Sequence, residues 1–104
     1  MMGRFFAPSE PAAPIGADDL RQAARSLRRT KFREGYDVAE VDAFVIEAVA
    51  ALDAAARAQV PGLTADDVLN RRFRTTKFRE GYDQDEVDDL LDRVDRGLRG
   101  AGRG

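Results

Sequence analysis

Thr30-Lys31-Phe32-Arg33-Glu34-Gly35-Tyr36-Asp37 recurs letter for letter as Thr76-Lys77-Phe78-Arg79-Glu80-Gly81-Tyr82-Asp83. The offset is 46 residues, and at the same offset Glu40-Val41-Asp42 matches Glu86-Val87-Asp88. Identity of that length within 104 residues is an internal repeat, and a repeat governs the architecture before any single segment does. Each unit is too small to bury much surface alone, so the two pack on each other or on a second chain.

Outward from the octapeptide, Gly35 and Gly81 read as left-handed residues of a tight turn. Asp37 and Asp83 then open helices. Each is followed three residues later by Glu40 or Glu86, the spacing of a capping box in which Asp accepts from the third helical amide and Glu reaches back. Tyr36 and Tyr82 are expected to pack on the start of those helices with their hydroxyls in water. Val41, Phe44, Val45, Ala48, Leu52 and Ala55 form an apolar stripe at helical spacing. Alanine-rich filler carries that helix to about Ala58, and Pro61-Gly62 stops it. Val87, Leu90, Leu91, Val94 and Leu98 repeat the stripe, with Gly97 weakening the end.

Upstream of each octapeptide the pattern predicts a shorter helix. Leu20, Ala23, Ala24 and Leu27 stripe one from Asp18 or Ala17 to Arg28. Thr64 and Asp67 cap the other, with Leu63 and Val68 placed as a hydrophobic staple. Pro8, Pro11 and Pro14 exclude regular structure from residues 1–16. Met1, Met2, Phe5 and Phe6 there read as part of a disordered start or, with Arg4, as a short docking or membrane-touching tag. The expected fold is therefore all-α, with four helices in two units of short helix, tight turn and long helix. The units span residues 17–58 and 63–99, joined by a linker at 59–62 and flanked by tails at 1–16 and 100–104. Their long helices are expected to pair in a bundle or short coiled coil.

Composition narrows the function. There is no Cys and no His, which removes thiol nucleophiles, thiolate metal sites and the commonest general base. The acids of 83–95 lack the alternating order of a calcium loop. A non-enzyme with no metal or other cofactor is expected. The net charge of −2 gives no bulk attraction to nucleic acid. Within each unit, however, bases precede acids: Arg21 to Arg33 carries no acid and Asp37 to Asp53 carries no base. The segregation suits pairing between short and long helices, or a basic face toward an anionic surface. No apolar run approaches the ~20 residues of a membrane span, and no signal-peptide core follows Arg4, so a cytoplasmic location is the default expectation.

Leu63-Thr64-Ala65-Asp66-Asp67-Val68-Leu69-Asn70, Phe73, Phe78-Arg79-Glu80-Gly81-Tyr82-Asp83 and Glu86-Val87-Asp88 together resemble the N-terminal domain of DivIVA-type bacterial division proteins. Residues 17–52 resemble it more weakly, with Phe44-Val45 where that family has Phe-Leu. The sequence departs from the family turn in an extra residue after the arginine, Glu34 and Glu80, and in having no coiled coil after Leu98. The resemblance implies an all-helical, dimerising module in cell division or polar growth, peripheral at the inner face of the membrane, whose turn presents a Phe-Arg pair to anionic lipid. Carried over, the contact residues are Phe32 with Arg33 and Phe78 with Arg79, helped by Lys31 and Lys77. Two alternatives stand beside it: a cytoplasmic protein-docking module without membrane contact, and a weak nucleic-acid binder through the basic helix faces. Protein partners from the division or envelope machinery and self-association are expected, and nucleic acid is not. Phe32 and Phe78 are either plugs that close the core or probes that reach a partner.

Overall fold

The computed structural model describes residues 13–102. The docking-tag reading of Met1, Met2, Phe5 and Phe6 falls outside them. Eight elements follow in order: α1 (Ala17–Arg25), β1 (Arg29–Thr30), β2 (Gly35–Tyr36), α2 (Val38–Ala56), α3 (Ala65–Leu69), β3 (Thr75–Thr76), β4 (Gly81–Tyr82) and α4 (Gln84–Gly102). The four expected helices are present, but the fold is mixed α/β and not all-α. Both octapeptides contribute strands to one four-stranded antiparallel sheet, ordered β1-β4-β2-β3.

That order is the central fact of the architecture. β1 pairs with β4, and β3 pairs with β2, so every outer strand is held by the other repeat. The two inner strands meet at Tyr36 opposite Tyr82. β1 and β2 are separated by β4, so the loop 31–34 between them must cross β4, and loop 77–80 must likewise cross β2. The repeats are interlocked about an approximate two-fold axis. Two-residue strands carry no alternation that a sequence pattern could reveal, and their partners lie in the other repeat.

The axis is legible in matched contacts. Asp37 N–H donates to the Arg74 carbonyl and Asp83 N–H to the Arg28 carbonyl, both at 2.8 Å. Asp37 and Asp83 cap α2 and α4 as expected, accepting from Glu40 N–H and Glu86 N–H at 3.0 and 3.1 Å. The glutamates do not reach back to close the expected boxes. Glu40 accepts from Arg74 N–H and Glu86 from Arg28 N–H, each at 2.7 Å, tying each helix start to the other repeat's outer strand. The box at Thr64 and Asp67 does close locally.

Gly35 and Gly81 are not left-handed. They are extended strand residues, and glycine is required there by close approach. A Cβ on Gly35 would stand 2.6 Å from Thr30 Oγ1 and 2.8 Å from the Tyr82 carbonyl oxygen, and one on Gly81 would meet Thr76 Oγ1 and the Tyr36 carbonyl oxygen. The left-handed positions fall instead on Phe78, at φ 65°, and Ala58, at φ 60°. Ala58 follows the last turn of α2, where its N–H bonds the Ala55 carbonyl and Gln59 N–H bonds the Ala54 carbonyl. This pair of bonds is a Schellman stop, so α2 ends before Pro61 is reached.

The main core gathers Phe44, Ala48, Ala51 and Leu52 of α2, Leu90, Val94 and Leu98 of α4, Leu20 and Val68 of the short helices, and Leu63. Ile15 joins it at 4% exposure, from within the segment read as a tail. A second cluster of Val41, Val87 and Tyr82 lies where the long helices leave the sheet. The two long helices pack on each other, but as one layer against a sheet and two short helices, not as a coiled coil.

Candidate docking surface

The octapeptide divides by what its side chains touch. Four of its eight positions build the interlock. Thr30 and Thr76 back onto the glycines, and the glycines admit the crossing strand. The tyrosines reach across the axis: Tyr36 Oη donates to Asp88 at 2.9 Å and Tyr82 Oη to Asp42 at 2.7 Å. Their hydroxyls are thus bound by carboxylates and not left in water. Burial first, and then the carboxylate that accepts the proton, raise the titration of both phenols. Asp37 and Asp83 cap the helices.

A fifth position adds a lock. Arg33 pairs with Asp83 at 2.6 Å, and Arg79 with Asp37 at 3.4 Å. The arginines assigned to surface contact are therefore turned onto the other repeat's helix cap. Both guanidinium groups are largely exposed, so each pair contributes only ~0.2–1 kcal/mol. Arg28–Glu86 and Arg74–Glu40 pairs repeat the pattern. The charge segregation within each unit is thus matched between units. Of the bases offered to a phosphate backbone, Arg21 is held by Asp18, Arg28 by Glu86 and Arg33 by Asp83.

Three positions remain: Lys31 and Lys77, Phe32 and Phe78, and Glu34 and Glu80, of which Glu80 is drawn to Arg29. Phe32 is 81% and Phe78 73% exposed, so neither is a plug in the core. Lys77 Nζ lies 5.6 Å from the ring centre of Phe78, within its own loop. Among the described residues neither lysine is in an ion pair. The two Lys-Phe tips occupy matching positions in the repeats, but only Phe78 takes a left-handed backbone.

The repeats differ beside these tips. Arg29 of β1 pairs with Glu80 at 2.8 Å and carries its guanidinium 5.1 Å from the centre of the Tyr82 ring. The equivalent residue of β3 is Thr75, opposite Tyr36. A groove of about 470 Å³ opens there, between the segment 68–75 and α4. The sequence reading missed this groove, although aligning Arg29 with Thr75 at the repeat offset would have pointed to it.

With the fold and the tips in view, comparison with known proteins adds no relative: no family model, no curated protein and no solved structure matches the chain. The resemblance to DivIVA-type proteins is accordingly corrected. No family model supports it, and the all-helical module it implied is replaced by a mixed α/β fold. The cell-division and membrane-touching roles carried over with it fall as well. Among the described residues no helix is long and apolar enough to cross a membrane.

Proposed function

We propose that this chain is a non-enzymatic protein-docking module whose contact elements are the two tips Lys31-Phe32 and Lys77-Phe78. One observation carries the reading: these residues are identical in both repeats and exposed, yet have no role in the interlock. Outside the octapeptide, several residues identical at the repeat offset have internal roles. Val41 and Val87 are buried, as are Leu52 and Leu98. Asp42 and Asp88 accept the tyrosine hydroxyls, while Glu40 and Glu86 hold the outer strands. In these pairs sameness in both copies accompanies an internal contact, and we assign to the tips a contact outside the chain. Exposed aromatics beside a cation supply contact area at low entropic cost and are enriched where proteins meet. Two such tips on one interlock add avidity.

Photo-crosslinking in living cells tests this. A benzophenone side chain at position 32 or 78 is expected to capture a discrete protein. Excess wild-type chain should compete for that adduct, and Phe32→Ala/Phe78→Ala should not. The same group at Ile46, also exposed at 72%, is the control. Lipid adducts alone, or equal capture from position 46, would overturn the reading.

A further inference from the structure

We infer that a second copy of this chain is a binding partner, taken up by exchange of repeats: the first repeat of each copy interlocks with the second repeat of the other. The hinge is the segment 57–62, and its backbone is at odds with its sequence. Ala54-Ala55-Ala56-Arg57-Ala58-Gln59 is a run of strong helix formers. Pro61 restrains the residue before it, Val60, so helix can continue as far as Gln59. α2 nevertheless stops at Ala56, and the chain turns back through Ala58 at φ 60°. Glycine takes that left-handed conformation readily, whereas the Cβ of alanine opposes it. The turn is thus imposed by the pairing of the two repeats within one chain. None of residues 56–62 is buried and Val60 is 94% exposed, so the turn recovers little from packing.

Straightening α2 through Gln59 removes the left-handed alanine and carries the second repeat away from the first. The contacts that joined them can then form again between copies, because they link repeat to repeat and do not involve the hinge. They include the β1–β4 and β2–β3 pairings, the Tyr36–Asp88 and Tyr82–Asp42 hydrogen bonds, and the backbone bonds from Asp37 to Arg74 and from Asp83 to Arg28. Within one chain these contacts are favoured by an effective concentration on the order of millimolar, and relief at two hinges offsets that advantage. The repeats also select unlike partners. Ile15 of the first repeat lies against Gly97 of the second, where a Cβ would stand 2.5 Å from the Ile15 carbonyl oxygen. Ala51 matches Gly97 at the repeat offset, so two first repeats would bring a methyl group to that place. Arg71 of the second repeat pairs with Glu47 of the first at 2.9 Å. Arg93 matches Glu47, so two second repeats would set arginine against arginine. The product is a closed two-fold dimer with two complete interlocks, carrying four Lys-Phe tips in place of two.

The test refolds the full chain from urea at concentrations up to about 1 mM, the scale of the effective concentration across a short linker, and weighs the product by light scattering. A dimer whose share grows with concentration is expected. On dilution it should return to monomer only as fast as the chain unfolds, because interlocked repeats cannot slide apart. In a dimer refolded from isotopically labelled and unlabelled chains, isotope-filtered NOEs should link Phe73 of one copy to Tyr36 of the other, rings whose centres lie 5.5 Å apart in the interlock. Ala58→Gly accommodates the turn and should lower the dimer association constant about ten-fold or more. Monomer at every concentration, a dimer whose Phe73–Tyr36 contacts stay within each chain, or a dimer undiminished by Ala58→Gly would each overturn the inference. So would contacts from Tyr36 of one copy to Leu27 of the other, since Leu27 matches Phe73 and such contacts mean that like repeats pair.

Discussion

Gly97 and Gly100 lie three residues apart in α4, and helix propensity makes the same demand of both. Replacing either by Ala should stabilise an exposed helix interior by ~1 kcal/mol. The structure reverses the sign at one of them. A Cβ at Gly100 meets nothing within 4 Å, so Gly100→Ala should gain about 0.5–1 kcal/mol, the lower figure reflecting its nearness to the helix end. A Cβ at Gly97 would stand 2.5 Å from the Ile15 carbonyl oxygen and 3.0 Å from Leu52 Cδ2. The first neighbour is backbone and yields only if the segment through Ile15 lifts from the core. Overpacking of this kind costs ~1–3 kcal/mol, and drawing out the Ile15 side chain forfeits part of the ~1.5–3 kcal/mol of its burial. After the ~1 kcal/mol propensity gain is subtracted, Gly97→Ala should be net destabilising by about 1–2 kcal/mol. Urea unfolding should record opposite shifts in midpoint at unchanged slope, and a melt should show Gly97→Ala lower by roughly 4–15 °C. In a chain beginning at Gly16 the clash is absent, and Gly97→Ala should become stabilising. Equal stabilisation by both substitutions in the full chain would refute the reasoning.

Further outcomes follow from other parts of the fold. Ala58→Gly should stabilise by about 0.5–1 kcal/mol in urea titration, because relief of the left-handed alanine exceeds the extra unfolded-state entropy of glycine. Phe32→Ala/Phe78→Ala should leave the unfolding midpoint within about 0.5 kcal/mol of wild type, since exposed side chains are removed; a large loss would mean that the tips pack in solution. Asp83→Ala should cost about 1–2 kcal/mol by removing the α4 cap together with the Arg33 pair, measured as loss of urea resistance. Stability should also fall in alkali. Tyr36 and Tyr82 titrate above the ordinary phenol value of 10.0 when folded. The unfolded chain therefore releases its protons first, so their contribution is fully present below pH 10 and is lost as pH rises through the folded values. Tyr36→Phe/Tyr82→Phe should flatten that decline in denaturation curves taken between about pH 9 and 11.

The apolar periodicity determined where the long helices lie, since Val41 to Leu52 and Val87 to Leu98 alternate at helical spacing whatever surrounds them. Asp37, Asp83 and Thr64 declared their caps because capping is a contact over three residues. The repeat itself declared that two equivalent units exist. All of these depend on neighbours close in sequence, which is why the chain alone discloses them.

What the chain could not disclose arises between the repeats. Thr30 and Gly35 belong to a sheet only because Gly81 and Thr76 come from the other unit, and pairs 39 to 53 residues apart leave no local pattern. Gly35 was legible as a special position, but its reason changed from backbone angle to the absence of room for a Cβ. Glu40 was legible as a capping residue, yet the free Arg74 amide of the partner repeat drew it away. Whether Phe32 closed the core or left it was open until the interlock occupied the space beneath it. The octapeptide thus specified a turn and a cap by its own chemistry, and tertiary pairing alone made it a strand exchange with two exposed tips.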